Sequence, residues 1–520
     1  MKKTITIKDF FDKILIIFLL IQPIFDLKIF YNSISTLIRV IIIFAVFFYY
    51  FFSSKNNKKY YLLIYPCLIG IYFIFHHFNA LHFKSLVPGN FNYSLLKESL
   101  YFVKMLSPFL LIYSLYKADF EYKTIINIIK YLVLIFSIVI VVSNIFCFSY
   151  GSYSDEIIKA NFFEWFNPNT TYSYQDLASK GLFEFGNQIA AVLIMFLPFI
   201  IHNSIKNHKI LDWIILSFNL LALILLCTKV SVLGVFVVFV YTLFSFGFIA
   251  FIRKKYFKLV KQYIPIACIF LVYCVLLPFN PMFSRVAERE ALSENTSLQI
   301  EYDVIANEQI SNSVDEDAIN SLTEIGNSSQ DLQTLHNEMS ETEKDINYKL
   351  QYIENNYENK KLHKQFLFEN YPYKYDLDFW YNFLQNDITL TTDYRYIETS
   401  MVKRVIEINN CKLDKWFGIT NTRLQNLFNV ERDFVVQYYA LGIIGVILIF
   451  APYFVLICVF LLRTFKNKFN NLNIINLLAA ITILFMFGVS YFTGNLFNSL
   501  SFTIYFSLLF IFFSLFIEHK

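Results

Sequence analysis

The apolar residues of this 520-residue chain are gathered into blocks of about 20 residues, the length at which a helix crosses the core of a bilayer. Only 16% of the residues are charged, whereas a soluble domain of ordinary composition carries about 25%. A segment that crosses a bilayer must satisfy its own backbone hydrogen bonds, so apolar blocks of this length form helices. The sequence therefore predicts an all-α polytopic membrane protein.

Twelve apolar blocks are present, and each predicts one transmembrane helix. The predicted spans are 13–30, 33–52, 60–80, 96–117, 124–149, 181–202, 208–227, 230–252, 259–279, 434–461, 472–492 and 498–517. Lysine and arginine are concentrated in alternate loops, for example at 253–261 and 463–468, which predicts that these loops and both termini are cytoplasmic. The chain then divides into a nine-helix membrane domain (1–279), a large external domain (280–433) and a three-helix membrane domain (434–520).

The predicted external domain carries most of the chain's carboxylates and changes character along its length. Residues 291–330 are rich in Ser, Asn, Glu and Asp, which is typical of a loose surface segment. Apolar residues then recur at spacings of three and four between 331 and 359, which predicts an amphipathic helix. The stretch 366–400 is aromatic and polar. It predicts either an aromatic core of the domain, which we favour, or a surface that stacks on sugar rings.

The common sequence signatures of nucleotide and metal sites are missing. There is no Walker A sequence, no GxGxxG, no HExxH and no Cys/His cluster with zinc spacing. The sequence therefore predicts no cofactor and no metal site, and it offers no indication of a nucleic-acid partner.

Cations at the predicted outer face are the main candidates for substrate binding. Guanidinium groups hold phosphate oxygens in pairs and stay charged in dry surroundings, so several of them in one cleft would suit a diphosphate. For each residue alone, the alternative is a solvated or ion-paired charge. The candidates are Lys229, Arg285, Arg289, Arg395, Arg404, Arg423 and Arg432.

The stretch 416–450 passes from a polar segment into an apolar run that is long enough to span a bilayer. Three consecutive ionisable residues, Glu431, Arg432 and Asp433, lie where the chain enters the membrane. A charge there is costly unless it is hydrated, ion-paired or part of a functional site. The alternative is an ordinary helix start in which Asp433 complements the helix dipole.

Several stretches resemble, in their order and predicted topology, the O-antigen polymerase/ligase superfamily of GT-C-type membrane glycosyltransferases. The stretches are LIQPIFDL, KGLFEFGNQIAAVLIMFLP, CTKVSVLGVFVV, TTDYRYIE, WFGIT and ERDFVVQYYALGIIG. Residues 291–360 have no counterpart in this resemblance and are interpreted as an insertion. The resemblance implies a GT-C-like fold in the cytoplasmic membrane of a bacterium, with a mainly helical external domain before the last three helices.

The resemblance also implies an activity, the joining of undecaprenyl-diphosphate-linked oligosaccharide repeat units into a capsule, O-antigen or similar surface polysaccharide. Ligases of the superfamily carry a His eleven residues before a Gly-x-x-Gly pair. Gly442 and Gly445 match that pair, but Glu431 stands at the His position. This difference favours a polymerase over a ligase that moves glycan to lipid or protein. A twelve-span flippase or transporter is the alternative of another class.

The resemblance implies roles for individual residues. Glu431 or Asp433 would take the proton of the attacking sugar hydroxyl. Arg395, also placed in the catalytic set, would stabilise the leaving group. The diphosphate-binding residues would be Lys229, Arg285 and Arg432. The implied partners are the polyprenyl-diphosphate-linked oligosaccharide and membrane lipid, with a flippase and a chain-length regulator as possible protein partners.

Overall fold

The chain is helical throughout most of the computed structural model, which describes residues 6–31, 33–87, 92–253, 257–287, 341–427, 430, 432–470 and 472–514. The helices before the external domain are α1 (Ile7–Phe25), α2 (Ser33–Ser53), α3 (Ile64–Leu81), α4 (Leu95–Ala118), α5 (Tyr122–Ile145), α6 (Tyr174–Leu177), α7 (Gly186–Asn207), α8 (Ile210–Leu225), α9 (Lys229–Arg253), α10 (Phe257–Leu276) and α11 (Pro281–Ala287). One short antiparallel pair, β1 (Tyr150–Gly151) and β2 (Ser179–Gly181), ties the 146–185 loop together.

The remaining helices form the last part of the bundle and the domain before it, for which we keep the name external domain because the sequence predicts that position. They are α12 (Glu341–Asn356), α13 (Leu377–Leu384), α14 (Ile388–Thr391), α15 (Tyr394–Asn409), α16 (Asp414–Phe417), α17 (Asn421–Leu427), α18 (Asp433–Lys466), α19 (Ile474–Thr493), α20 (Leu500–Leu509) and α21 (Ile511–Ser514). The last two are nearly continuous and together occupy the position of the twelfth predicted span.

Each predicted span overlaps a helix, and eight helices in the described part of the chain are long and apolar enough to cross a membrane. A ninth crossing arises if α10 and α11, which meet at a 43° bend, count as one span. α8 and α20–α21 are apolar but shorter. The fold is therefore that of a polytopic α-helical membrane protein, and the count of twelve spans stays a prediction.

Contacts between distant loops identify two ends of the bundle. At one end, which we call the domain face, loops 26–31, 146–185 and 494–499 lie together, and the domain between α11 and α18 contacts the end of α3 and the start of α4. Leu27 bridges to Phe183 there, and the Ser501 hydroxyl donates a hydrogen bond of 2.5 Å to Asp26. At the other end, the opposite face, lie the turns 54–63, 118–121 and 208–209. The sequence predicts that the domain face is external and the opposite face cytoplasmic.

α7 is the central helix of the bundle, and nearly all of its residues from Ile189 to Ile205 are buried. Its sequence is apolar on every side, which is typical of a helix surrounded by protein. Its neighbours include α5, α8, α9, α19 and α20. Because α7 begins at Gly186 on the domain face, its first turn is held firmly beneath the loops that meet there.

The external domain has an aromatic core built from the stretch 366–400. Trp380 and Tyr371 are fully buried, and the Trp380 indole N–H donates to the Tyr371 carbonyl at 2.8 Å. α12 packs beside α13 through Ile353 and the tyrosines of both helices. The amphipathic helix predicted over 331–359 is thus present as α12, and its predicted first ten residues lie outside the described part of the chain.

Candidate functional site

The return of the external domain to the membrane is built on two glycines that bring two backbones into direct contact. Gly418, at the end of α16, and Gly442, inside α18, both have positive φ (73° and 64°) with ψ near 180°. This backbone conformation is essentially restricted to glycine. A methyl group on Gly418 would overlap the Ala440 carbonyl, and one on Gly442 would overlap the backbone of Trp416.

The conformation at Gly442 breaks α18 and leaves three of its carbonyls without their usual helical donors. The Tyr439 and Ala440 carbonyls accept hydrogen bonds from the backbone N–H groups of Ile419 (2.9 Å) and Thr420 (3.0 Å). The Leu441 carbonyl accepts one from the Tyr72 hydroxyl. The WFGIT and ALGIIG stretches are therefore two halves of one clasp, which fixes the domain to α18 and α3.

A buried carboxylate holds the same clasp to the membrane domain. Glu98, in α4, accepts hydrogen bonds from the backbone N–H of Asn421 (3.0 Å) and of Thr422 (2.9 Å), and from the Thr422 hydroxyl at 2.5 Å. The His76 Nε2 atom of α3 lies 3.0 Å from Oε1 of Glu98, the oxygen that also accepts from Asn421. Glu98 and His76 are fully buried, so they position the domain and are closed to a large substrate.

Arg423 also holds the external domain to the membrane domain, so its guanidinium is already engaged within the protein. Its guanidinium donates to the Ala80 carbonyl at 2.7 Å and lies 4.2 Å from the centre of the Phe83 ring. Burial lowers the pKa of Arg423 to about 10, so the group remains charged at neutral pH. Its contacts tie α17 to the end of α3.

Asp433 occupies the first position of α18 and is fully buried. Its two carboxylate oxygens accept hydrogen bonds from the backbone N–H groups of Leu496 (2.7 Å) and Asn498 (3.3 Å). The Asn498 side chain is bonded in turn to Gln437 and Tyr101. Asp433 therefore fixes the 494–499 loop. Its neighbour Arg432 is half-buried at the N-cap of α18, and Glu431 lies outside the described part of the chain.

On the domain face, two lysines converge on one carboxylate. The Lys28 and Lys180 ammonium groups lie 2.9 and 3.2 Å from the same oxygen of Asp155. Their hydrogen bonds, that of Lys28 first, hold the pKa of Asp155 below its usual value. Lys180 is nearly fully buried, whereas Asp155 is exposed. Two ammonium groups therefore share one oxygen of Asp155, and a second carboxylate, the half-buried Glu184, lies close to Lys28.

Arg285 lies next to this pair on the other side of the same loop. Its guanidinium carbon lies 3.9 Å from the centre of the Tyr153 ring and 5.8 Å from that of Tyr174. Among the described residues no carboxylate lies within 4 Å of it, and its buried Nε has no hydrogen-bond partner. We call Lys28, Lys180 and Arg285, with Asp155 between them, the cationic cluster.

Two helices begin at the cationic cluster. An added methyl group on Gly186, the first residue of α7, would lie 3.4 Å from the Lys180 side chain. The Tyr153 hydroxyl donates to the Cys227 carbonyl at 2.6 Å, just before α9 begins at the exposed Lys229. Backbone N–H groups and the helix dipole favour an anion at such helix starts. The cluster therefore combines fixed cations with two helix N-termini at one place.

The structure brings together some of the sequence-predicted residues and separates others. Arg285 and Lys229 lie at the cluster. Arg395 is half-buried at the first turn of α15. The other end of α15 contacts the membrane domain, where Asn409 accepts a hydrogen bond from the backbone N–H of Lys84. At 1.5 Å per residue, Arg395 lies about 20 Å along the helix from that contact. Arg404 forms a two-pronged ion pair with Asp376 inside the external domain. Arg289 lies outside the described residues.

Lys28, Lys180 and Asp155 were not singled out from the sequence. Lys180 is part of the KGLFEFGNQ stretch, where Gly181 adopts a positive φ of 69° and packs on the backbone of Ile140. That glycine and the β1–β2 pairing hold Lys180 against the bundle. The one feature of the sequence that could have indicated Lys180 is its position beside Gly181, where a predicted span begins. Glu184, a half-buried carboxylate of the same stretch, lies close enough to Lys28 to raise the pKa of that amine together with Asp155.

Comparison with known proteins adds one finding. The family model described as "O-antigen ligase like membrane protein" matches residues 8–519, nearly the whole chain. Searches of curated proteins and of solved structures returned no match. The match covers the cationic cluster, the external domain and the Gly418–Gly442 clasp, and it supports a glycan-processing role in the membrane. The chain belongs to the family of O-antigen ligase-like membrane proteins.

Proposed function

We propose that this protein polymerises polyprenyl-diphosphate-linked oligosaccharides into a surface polysaccharide on the predicted outer face of the membrane. The observation that carries the proposal is the cationic cluster. The buried Nε of Arg285 has no hydrogen-bond partner, and the ammonium groups of Lys28 and Lys180 lie against the same oxygen of Asp155. Such a group suits a diphosphate held at the surface of an apolar bundle, which is the chemistry of a lipid-linked sugar donor.

The proposed reaction is a glycosyl transfer between two lipid-linked chains. A hydroxyl oxygen of the acceptor sugar attacks the anomeric carbon of the donor. The bond from that carbon to the diphosphate oxygen breaks, and the lipid diphosphate leaves with the electron pair. Cations that already lie at the diphosphate stabilise the charge that develops on it, without a further cost of reorganisation. The reaction is thereby driven by the leaving group that the donor itself carries.

The hydrogen bonds and exposure of each carboxylate decide which one we propose as the base in this reaction. Both oxygens of Asp433 are occupied by backbone N–H groups, so we assign Asp433 to fixing the 494–499 loop. Glu431 is the proposed base that takes the hydroxyl proton, and Glu184 is the second candidate because it is partly exposed beside Lys28. Arg432 and Lys229 are proposed as further diphosphate contacts, and Arg395 as a contact made by the external domain.

A pocket on the external domain supports a glycan substrate. It has a volume of about 300 Å³, lies between α13 and α15, and is open to solvent. Its lining combines the exposed ring of Tyr396 with the amides of Asn382 and Asn386 and the carboxylates of Asp378 and Glu407. Aromatic faces bind the apolar side of a sugar, while amides and carboxylates bind its hydroxyl groups. The pocket is of a size to hold one or two sugar residues of a growing chain.

Neutralising Arg285 is expected to reduce polymer formation by roughly 100-fold or more, the effect of removing one preorganised charge-stabilising group. Arg285→Lys should recover only part of the rate, because an ammonium group cannot hold two phosphate oxygens in the plane of a guanidinium. The measurement is the initial rate of polymer formation by purified protein. Lys159→Ala is the matched control, since Lys159 is an exposed cation of the same loop that pairs with Asp176. Arg285→Ala at the wild-type rate would contradict the assignment.

Two alternatives make different predictions in a deletion strain. A ligase that moves glycan to lipid or protein is supported by the description of the family, and its loss would leave polymer made but unattached. A flippase is supported by the many helices alone, and its loss would leave single repeat units on lipid at the cytoplasmic face. Loss of a polymerase leaves single repeat units on lipid at the outer face. The missing His at position 431 is the reason to place polymerase before ligase.

A further inference from the structure

A cavity on the opposite face, far along the bundle from the cationic cluster, has the make-up of a lipid site. It has a volume of about 430 Å³ and lies where the ends of α2, α4, α18 and α21 meet the start of α3. Its inner walls are apolar, with Phe109, Ile112 and Val459 among the lining residues. Its mouth is lined by four cations, Lys58, Lys59, Lys117 and Arg463.

The four cations at the mouth have no anionic partner in the described part of the chain. None has a carboxylate within 4 Å, although Lys130 on the same face forms an ion pair with Asp212. Lys59 donates instead to the Ser54 carbonyl at 2.7 Å, and Lys117 lies over the rings of Tyr113 and Tyr116. These contacts hold the ammonium groups at the mouth and leave donors for a ligand.

We propose that this cavity binds an anionic phospholipid, and that a headgroup with two phosphates fits it best. The cations lie at the depth where helices end and headgroups begin, and the apolar walls continue into the bundle between Phe109 and Phe510. Basic pockets between transmembrane helices on the cytoplasmic side bind anionic headgroups in this way. An acyl chain along the apolar wall then joins α18 to α4, and thereby supports the far end of the helix that carries the Gly418–Gly442 clasp.

The test is native mass spectrometry of the full-length protein with equal amounts of diphosphatidylglycerol, phosphatidylglycerol, phosphatidylcholine and polyprenyl phosphate. We expect the two-phosphate lipid to be retained most and phosphatidylcholine least. A variant with alanine at Lys58, Lys59, Lys117 and Arg463 should lose retention by about tenfold or more, because each cation near a phosphate contributes to binding. The matched control places alanine at Lys8, Lys123, Lys206 and Lys209, four cations of the predicted cytoplasmic side that do not line the cavity, and should retain the lipid.

A second variant separates the cavity from general surface charge. Ile112→Phe with Val459→Phe fills the apolar wall and keeps all four cations, so lipid retention should fall as it does in the charge variant. The melting temperature in detergent should rise on adding diphosphatidylglycerol to wild type and stay constant for both variants. Three outcomes overturn the proposal: retention that follows total charge alone, retention unchanged by filling the wall, or stronger retention of polyprenyl phosphate than of any phospholipid.

Discussion

Gly442→Ala and Gly418→Ala are expected to be the two most damaging single-methyl changes among the glycines that the structure describes. Each residue lies in a backbone region that costs other residues about 1–3 kcal/mol, and the added methyl would also overlap the backbone of the facing segment. Relief of that overlap separates α16 from α18 and releases the hydrogen bonds of Ile419 and Thr420. We expect the melting temperature to fall by a few degrees and polymer formation to be lost.

Gly70 and Gly488 are the matched controls for this prediction. Both lie inside helices, and apart from the backbone of its own helix an added methyl group on either would meet no atom within 4 Å. Alanine is the better helix former by roughly 0.5–1 kcal/mol, so Gly70→Ala and Gly488→Ala should leave the melting temperature unchanged or slightly higher. Equal melting temperatures for Gly442→Ala and Gly488→Ala would show that the clasp does not hold the domain to the bundle.

The buried pair of Asp26 and Arg39 gives the second large effect. The two side chains are 4% and 1% exposed, lie 2.5 Å apart, and join the end of α1 to α2. The hydroxyls of Ser501 and Tyr505 donate to the same carboxylate, which adds α20 to the network. Removing one partner leaves the other charge buried without compensation, a loss of about 3–5 kcal/mol. Asp26→Ala and Arg39→Ala should each unfold the protein at clearly lower temperature than wild type.

Removing both charges should do less harm than removing one. The double variant Asp26→Asn with Arg39→Met keeps an acceptor for Tyr505 and replaces the guanidinium by an apolar chain of similar length. Its melting temperature should lie above that of either single alanine variant. Lys364→Ala is the control, because its partner Glu358 is mostly exposed and such pairs contribute about 0–1 kcal/mol. A double variant that is as unstable as the sum of the two singles would contradict the buried-pair account.

The helical blocks follow from the sequence because the apolar pattern is local. Each of the twelve predicted spans overlaps a helix, and the aromatic stretch 366–400 forms the core of the external domain as favoured. The break at Gly442 was not predictable in this way, since ALGIIGVILIF is apolar without interruption. Only the packing of WFGIT against it shows why a helix opens there.

The site is harder to predict, because its partners are far apart in the chain. Glu98 meets Thr422, and Lys28 meets Asp155, through contacts that no local pattern reveals. Arg285 was selected as a cation of the predicted outer face, and the structure gives it aromatic neighbours and no carboxylate within 4 Å among the described residues. Arg423 was selected on the same grounds, but its guanidinium binds a backbone carbonyl and anchors the domain. A sequence does not distinguish an arginine that binds a ligand from one that binds the backbone.

The measurement that tests the proposed function most directly uses purified protein in lipid vesicles with polyprenyl-diphosphate-linked repeat units as the only substrate. No nucleotide, metal or second acceptor is added, and products are separated by length on a gel. The account predicts a ladder of products that differ by one repeat unit, with release of polyprenyl diphosphate. The ladder should be absent with Glu431→Gln and strongly reduced with Arg285→Ala. Unchanged single repeat units with folded wild-type protein, or transfer only after a separate lipid or protein acceptor is supplied, would contradict it.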